Sequence, residues 1–334
     1  MAMNLSVTVN GTRPSNCFNP TAERIGHTIA YCLLFFISLV GNSFIGIIVY
    51  KTKALRKPIN YLIVNMAVSD LLLPIILFPK TVTEMHVDNW LISGHLGEAL
   101  CKLVPFMSDL SVAVSIQSLV LIAMDRFVAV VFPLRSPLIS SKLCPFFIVA
   151  TWIIAIAIVT PYLLAFKLVE FSHLEYKCVR QWMRVSDDPS SVKKYFMALF
   201  IVFFYIPFVL MFILYLVILL KLKFQTSPGE HSMNAQIQRS RRKRNALKLS
   251  VAIVLGFAVC WFPFSIYTLA IFAVKNNSTI PCGILLLGQF CLLLSRTNSA
   301  MNPCICFILS TNYRRGLKNL FSNSYVARAN RDAM

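Results

Sequence analysis

Long apolar runs alternate with short polar breaks along this chain, and seven of the runs are each about long enough to cross a bilayer. Their approximate limits are Ile29–Tyr50, Ile59–Phe78, Leu103–Val131, Pro145–Phe166, Tyr195–Leu222, Leu247–Val274 and Ile284–Leu309. The runs are continuous, without the period-two alternation of a membrane strand, so they predict helices. In hydrocarbon the backbone must satisfy itself, which leaves a helical bundle or a closed barrel. The fold class predicted is an all-α membrane protein, a seven-transmembrane helix bundle. Nearly every run carries an out-of-place polar residue or proline: Asn42, Asp70, Asp109, Asp125, Arg126, Pro207, Pro263, Arg296, Asn298, Asn302 and Pro303. Ionisable groups at membrane depth are costly, so each is a candidate functional position.

The polar breaks set the organisation. Residues 1–24 form a polar N-terminal segment with no apolar core of a signal peptide, so the first span is expected to serve as its own insertion signal. The bundle covers residues 25–309. Beyond it, Tyr313, Leu317, Leu320 and Phe321 share one helical face with bases opposite. That predicts a short amphipathic surface helix over 310–322 and a short tail over 323–334. Two connections are long. Lys167–Lys194 contains Tyr176-Lys-Cys-Val-Arg-Gln-Trp182, whose alternation predicts a hairpin strand. Lys223–Arg244 contains the turn signal Thr226-Ser-Pro-Gly229 and the basic run Arg239–Arg244. There is no internal repeat, and an odd span count argues against tandem transporter halves.

Composition agrees: 57% of residues are hydrophobic and 13% charged, against about 25% charged in soluble domains. A net charge of +19 suggests nucleic acid only until it is placed on the topology. Most Lys and Arg lie in the breaks after spans one, three and five and in the tail, where the only acids are Asp125, Glu230 and Asp332. The positive-inside rule puts these breaks and the C-terminus in the cytoplasm, and the N-terminus outside. The basic run then meets anionic lipid, and no nucleic-acid partner is expected. Asn4-Leu-Ser6 and Asn10-Gly-Thr12 are glycosylation sequons on the outer side, consistent with that orientation.

Of the ten cysteines, Cys32, Cys144, Cys260, Cys291, Cys304 and Cys306 lie within spans and read as small packing residues. Cys17, Cys101, Cys178 and Cys282 fall on the extracellular side, where disulfides persist. All five His lie outside the membrane interior, and no nucleophile or metal-ligand motif occurs, so an enzyme is not expected.

The polar set resembles the rhodopsin-like (class A) G-protein-coupled receptors, over about residues 25–322. It consists of Gly41-Asn42, Asn65-Met-Ala-Val-Ser-Asp70, Asp125-Arg126-Phe127, Trp152, Pro207 with Tyr215, Cys260-Trp-Phe-Pro263 and Asn302-Pro303, spread in order over the seven spans. Two positions depart from the family pattern: Phe127 stands where Tyr is usual after Asp-Arg, and Cys306 replaces the Tyr of Asn-Pro-x-x-Tyr. The second loses a hydroxyl that the family uses in its active state. The resemblance implies a plasma-membrane receptor that activates heterotrimeric G proteins. Arg126, with Asp125 and Tyr215, would then couple to the G protein. No span-six Glu is available to hold Arg126, so its restraint is expected from Asp125. Ile116, Pro207, Phe257, Trp261, Pro263 and Pro303 would form the activation switch. Asp70, Ser115, Asn298 and Asn302, together with Trp261, would line a sodium-and-water pocket, against the plainer reading of a satisfied polar network. Sodium is the only cofactor implied. The resemblance joins Cys101 to Cys178 and also allows a second bridge, Cys17–Cys282, against two free thiols.

For the ligand, Ser108 stands where amine receptors carry Asp, and Arg296 where opsins carry the Schiff-base Lys. What remains is a mixed-charge mouth: Lys80, Glu84, Asp88, Asp109, Glu170, Glu175, Gln289 and Arg296, above a floor of Trp261, Phe264 and Tyr267. This looks like a neuropeptide receptor. A basic peptide held by Asp109 and Glu84 is one reading. The other pairs Glu84 with Lys80 at i, i+4 and Asp109 with Arg296 across the bundle. An amine or lipid ligand is the rival within receptors; a channel or transporter is the rival outside them.

Overall fold

A computed structural model describes residues 20–87, 89–132, 138–172, 175–180, 197–223, 233–273 and 281–332. Asn4, Asn10, Cys17, Asp88, the turn Thr226–Gly229 and Trp182 lie outside the described residues. Seven helices are long and apolar enough to cross a membrane: span 1 (Thr21–Lys51), span 2 (Pro58–His86), span 3 (Gly94–Val131), span 4 (Cys144–Ala165), span 5 (Met197–Lys223), span 6 (Arg244–Ile271) and span 7 (Cys282–Leu309). Several outrun the apolar limits read from the sequence. Span 1 starts eight residues before Ile29, and span 2 continues past Phe78 to His86. The apolar run marks only the hydrocarbon slab, whereas a helix continues wherever its backbone bonds remain favourable. The helix of span 6 likewise begins at Met233, not Leu247. The basic run placed in a loop is therefore helical, because nothing from Met233 to Arg244 is Gly or Pro.

Prolines shape the spans. Pro105, Pro263 and Pro303 sit inside helices, where each removes a backbone bond. Spans 2 and 5 each contain one widened π-turn, Leu73–Leu77 and Ile201–Tyr205. The first includes Pro74 and the second ends two residues before Pro207. A missing N–H is accommodated by letting the chain slip one residue.

An antiparallel hairpin lies over span 3: β1 (Phe166–Ser172) pairs with β2 (Glu175–Arg180), with Leu168 opposite Cys178. This is the expected strand, in its described part. The Trp90 N–H donates to the Tyr176 carbonyl at 2.6 Å and ties the break before span 3 to β2. Cys178 is bridged to Cys101 at the top of span 3. Close by, Gly97 leaves no room for a side chain, since a Cβ there would fall 1.8 Å from the Ile92 carbonyl oxygen.

The helix after span 7 runs Thr311–Asp332, beyond the expected stop at 322, because no Pro or Gly follows Gly316 to end it. Tyr313 is buried against Phe307 and bonds Asn60 at 3.3 Å, Leu317 and Leu320 pack on the core, and Arg314, Arg315 and Lys318 are exposed. Burial of Tyr313 raises its phenol well above its ordinary value. Of the span cysteines, Cys144, Cys260, Cys291 and Cys306 are buried and free, while Cys32 faces outward.

Candidate functional site

Polar side chains line the inside of the bundle in three tiers. The middle tier is centred on Asp70, which is fully buried on span 2. Its carboxylate accepts from Asn302 Nδ2 of span 7 at 2.8 Å and from Ser115 Oγ of span 3 at 3.3 Å, with Ser111 also in reach. Asn298, one turn before Asn302, is buried with its Oδ1 unmatched by any donor. On the other side, Asn42 donates to the Ser38 and Ser299 carbonyls at 2.9 and 2.8 Å, which fastens span 1 to span 7. Gly41 allows that approach, since a Cβ there would meet the Pro303 ring at 2.8 Å. The structure thus brings together Asp70, Ser115 and Asn302, with Asn298 on the same helical face as Asn302.

Span 3 contributes a serine stripe of which the sequence reading named only Ser108 and Ser115. Ser108, Ser111, Ser115 and Ser118 are all buried and spaced three, four and three residues apart, which is one helical face. Ser118 accepts from Asn65 at 2.9 Å, and Asn65 Oδ1 accepts from the Trp152 indole at 2.8 Å. Polar periodicity inside an apolar run was the available signal.

The upper tier lies toward the hairpin. Arg296 of span 7 is buried and donates from Nη1 to Ser108 Oγ at 2.9 Å. Its guanidinium meets span 3 one residue before Asp109, so the cross-bundle pair read from the sequence is replaced by an Arg–Ser bond. Asp109 is itself buried. Glu84 takes the intrahelical alternative, pairing with Lys80 at 2.5 Å, and Lys80 also lies 5.8 Å over the Trp90 ring. Phe264 is buried beneath this tier, and Tyr267 packs its ring tip onto Gly288. The Tyr267, Thr268 and Trp261 polar atoms and Gln289 Oε1 are buried with no hydrogen-bond partner. Glu170 and Glu175 stand on the hairpin strands.

Between the tiers runs an aromatic chain. Trp261 stacks on Phe257 at 6.0 Å, Phe257 touches Phe208 at 5.6 Å, and Phe204 reaches Trp261 at 6.3 Å. Ile116 belongs to the same core, and Pro207 lies between Phe204 and Phe208 in sequence. Phe204 and Phe208 were not singled out from the sequence; their only signal was proximity to Pro207.

The third tier, at the end away from the hairpin, is compact. Arg126 curls back to pair with Asp125, although adjacent helix residues diverge. Tyr215 of span 5 is buried within electrostatic reach of Arg126 and near Ser250 of span 6. Cys306 is fully buried where a phenol would be expected.

Disulfide, buried acid, aromatic chain and paired Arg126 fall in one order along seven spans. Residues 41–305 match the family described as 7 transmembrane receptor (rhodopsin family). The chain belongs to this family. It is a multi-pass G-protein-coupled receptor of the rhodopsin family and, as expected, not an enzyme. Relatives include the QRFP-like peptide receptor of Branchiostoma floridae, 31% identical over 87% of this chain and 76% of that protein. The neuropeptide Y receptor type 1 of Xenopus laevis is 30% identical over 96% and 87%. The RYamide receptor of Drosophila melanogaster is 28% identical over 87% and 62%. Within this receptor family the chain keeps Asp-Arg but carries Phe127 and Cys306. Its Cys282 is disulfide-bonded, and the partner expected for it, Cys17, lies outside the described residues.

Proposed function

We propose that this receptor sits in the plasma membrane with its N-terminus outside, binds an extracellular peptide and activates heterotrimeric G proteins. The observation that carries the reading is the upper tier: buried polar groups on spans 6 and 7 without protein partners, beneath a disulfide-fixed hairpin. A peptide supplies the amides and side chains that such groups match. That relatives are named as peptide receptors supports the same class of ligand. Asp109, Gln289 and Arg296 would contact the ligand, with Trp261, Phe264 and Tyr267 beneath it. Pressure on Trp261 would pass along Phe257, Phe204 and Phe208 to the bend at Pro263. Span 6 then swings, and Arg126 leaves Asp125 for the G protein. The membrane-surface face of the C-terminal helix, with Arg314, Arg315 and Lys318, would rest on anionic lipid.

Asp70, Ser115, Asn298 and Asn302 would hold a sodium ion. The donor set fits a hard cation, since one carboxylate is joined by hydroxyl and amide oxygens and Asn298 Oδ1 has no donor of its own. Bound there, sodium would supply a counter-charge to Asp70 and favour whichever state holds it better. Asp70→Asn is expected to abolish the difference between sodium and choline chloride in thermal unfolding of the purified receptor; an undiminished difference refutes the assignment.

The decisive experiment is a screen of amidated peptides for nucleotide exchange on purified G proteins in vesicles. Peptide-dependent exchange is expected. An amine or lipid acting where peptides fail would overturn the ligand class.

A further inference from the structure

Arg296 is the one buried guanidinium among the described residues lying in the extracellular half of the bundle, and the protein gives it little to bind. Its side chain carries five N–H donors. One reaches Ser108, a neutral hydroxyl. Among the described residues no carboxylate lies within ion-pair distance of it. Tyr31 of span 1, a neutral phenol, is its electrostatic neighbour. Burying a cation without a counter-charge is costly, and natural proteins tolerate it chiefly where a ligand supplies the charge.

A second observation points the same way. Gln289 stands seven residues before Arg296, two turns up the same face of span 7, and its buried Oε1 has no donor. Across from it, Trp261 and Thr268 of span 6 share a face, again seven residues apart, and both have buried polar atoms without partners. The unmatched groups thus occur on spans 6 and 7, which meet where Tyr267 packs on Gly288, with Gln289 two turns above the guanidinium.

We propose that Arg296 and Ser108 form a receiving site for a carboxylate of the ligand. A planar guanidinium matches a carboxylate by two parallel N–H···O bonds, which an amide or amine cannot reproduce. The site rests on the ligand-binding reading of the upper tier and narrows it: the peptide presents an acidic terminus or an Asp or Glu side chain at its deepest point.

The test uses purified receptor in detergent and small probes of known structure. N-acetylphenylalanine and hexanoate are each compared with their own amides in thermal unfolding. The first mimics a peptide terminus and the second an aliphatic acid. We expect an acid to stabilise the wild type while its amide does not. Arg296→Lys should keep part of the difference and Arg296→Gln should lose it. Ser108→Asp places a carboxylate beside Arg296 within the protein. It should raise the melting temperature of the receptor alone and erase the response to acids, so the test survives if Arg296→Gln fails to fold. The stronger of the two acids identifies the source of the carboxylate. Equal shifts by acid and amide in wild type, or an acid response retained in Ser108→Asp, would overturn the site. If peptides drive exchange and yet no acid–amide difference exists, the carboxylate site falls and the peptide reading stands.

Discussion

The two ends of the bundle pair their guanidinium groups differently. At mid-bundle and at the end away from the hairpin, Asp70 is matched by Asn302 and Ser115, Asn65 by Ser118 and Trp152, Asn42 by two carbonyls, and Arg126 by Asp125, while Asn42 Oδ1, Asn298 Oδ1, Arg126 Nε and Tyr215 OH stay unmatched. Toward the hairpin, Arg296 has one neutral partner and no charged one, and Trp261, Tyr267, Thr268 and Gln289 leave polar atoms unmatched. The Cys101–Cys178 bridge and the β1–β2 ladder also lie at this end.

Removing the covalent tie should have the largest effect. Cys178→Ser opens a link spanning 77 residues, for which loop entropy models give about 4 kcal/mol. Surface expression should fall to near background, measured by flow cytometry on intact cells; normal expression with a free Cys101 would show that the upper half does not depend on the bridge. Arg126→Ala should lower agonist-driven nucleotide exchange by roughly tenfold or more, a change of about 1.4 kcal/mol or greater, while ligand binding persists. Normal exchange would remove Arg126 from the coupling surface. Asn302→Ala strips the closest donor from Asp70 and should cost about 1–3 kcal/mol, read as a lower melting temperature. Tyr267→Phe and Thr268→Val remove unmatched hydroxyls from the other half. Without ligand, they should change stability by less than about 0.5 kcal/mol. A loss as large as that of Asn302→Ala would erase the contrast between the halves.

Much of this was legible from residues alone. Seven apolar runs with single polar intruders imply the bundle, and Cys101, Cys178, Asp70, Asn302 and Arg126 stand where the motifs put them. Alternation in Tyr176–Trp182 foretold β2. Side-chain pairing across the bundle was less legible. Asp109 and Arg296 looked like partners because opposite charges on neighbouring spans attract. One residue on a helix turns the side chain by about 100°, and Arg296 met Ser108 instead. Helix ends were misplaced for a different reason: span 2 and span 6 outlast their apolar runs, since hydropathy reports the slab and not the hydrogen-bond ladder. Ser111 and Ser118 escaped because hydroxyls within an apolar run can satisfy themselves against the preceding turn, as Ser118 does with the Val114 carbonyl at 2.8 Å, and so read as neutral.

The π-turns at Leu73–Leu77 and Ile201–Tyr205 carry a consequence for how this chain can change. Each wide turn holds one residue more than an α-helix would, so the helical wheel drawn from Asp70 does not continue in phase to Lys80. The parts of spans 2 and 5 on either side of these turns keep independent frames. Losing one residue inside either turn would close it into ordinary α-helix and leave both flanking faces against their present neighbours. The same deletion anywhere else in these spans would rotate every later side chain by about 100°. These two turns are the places where the membrane-spanning scaffold tolerates a change in length.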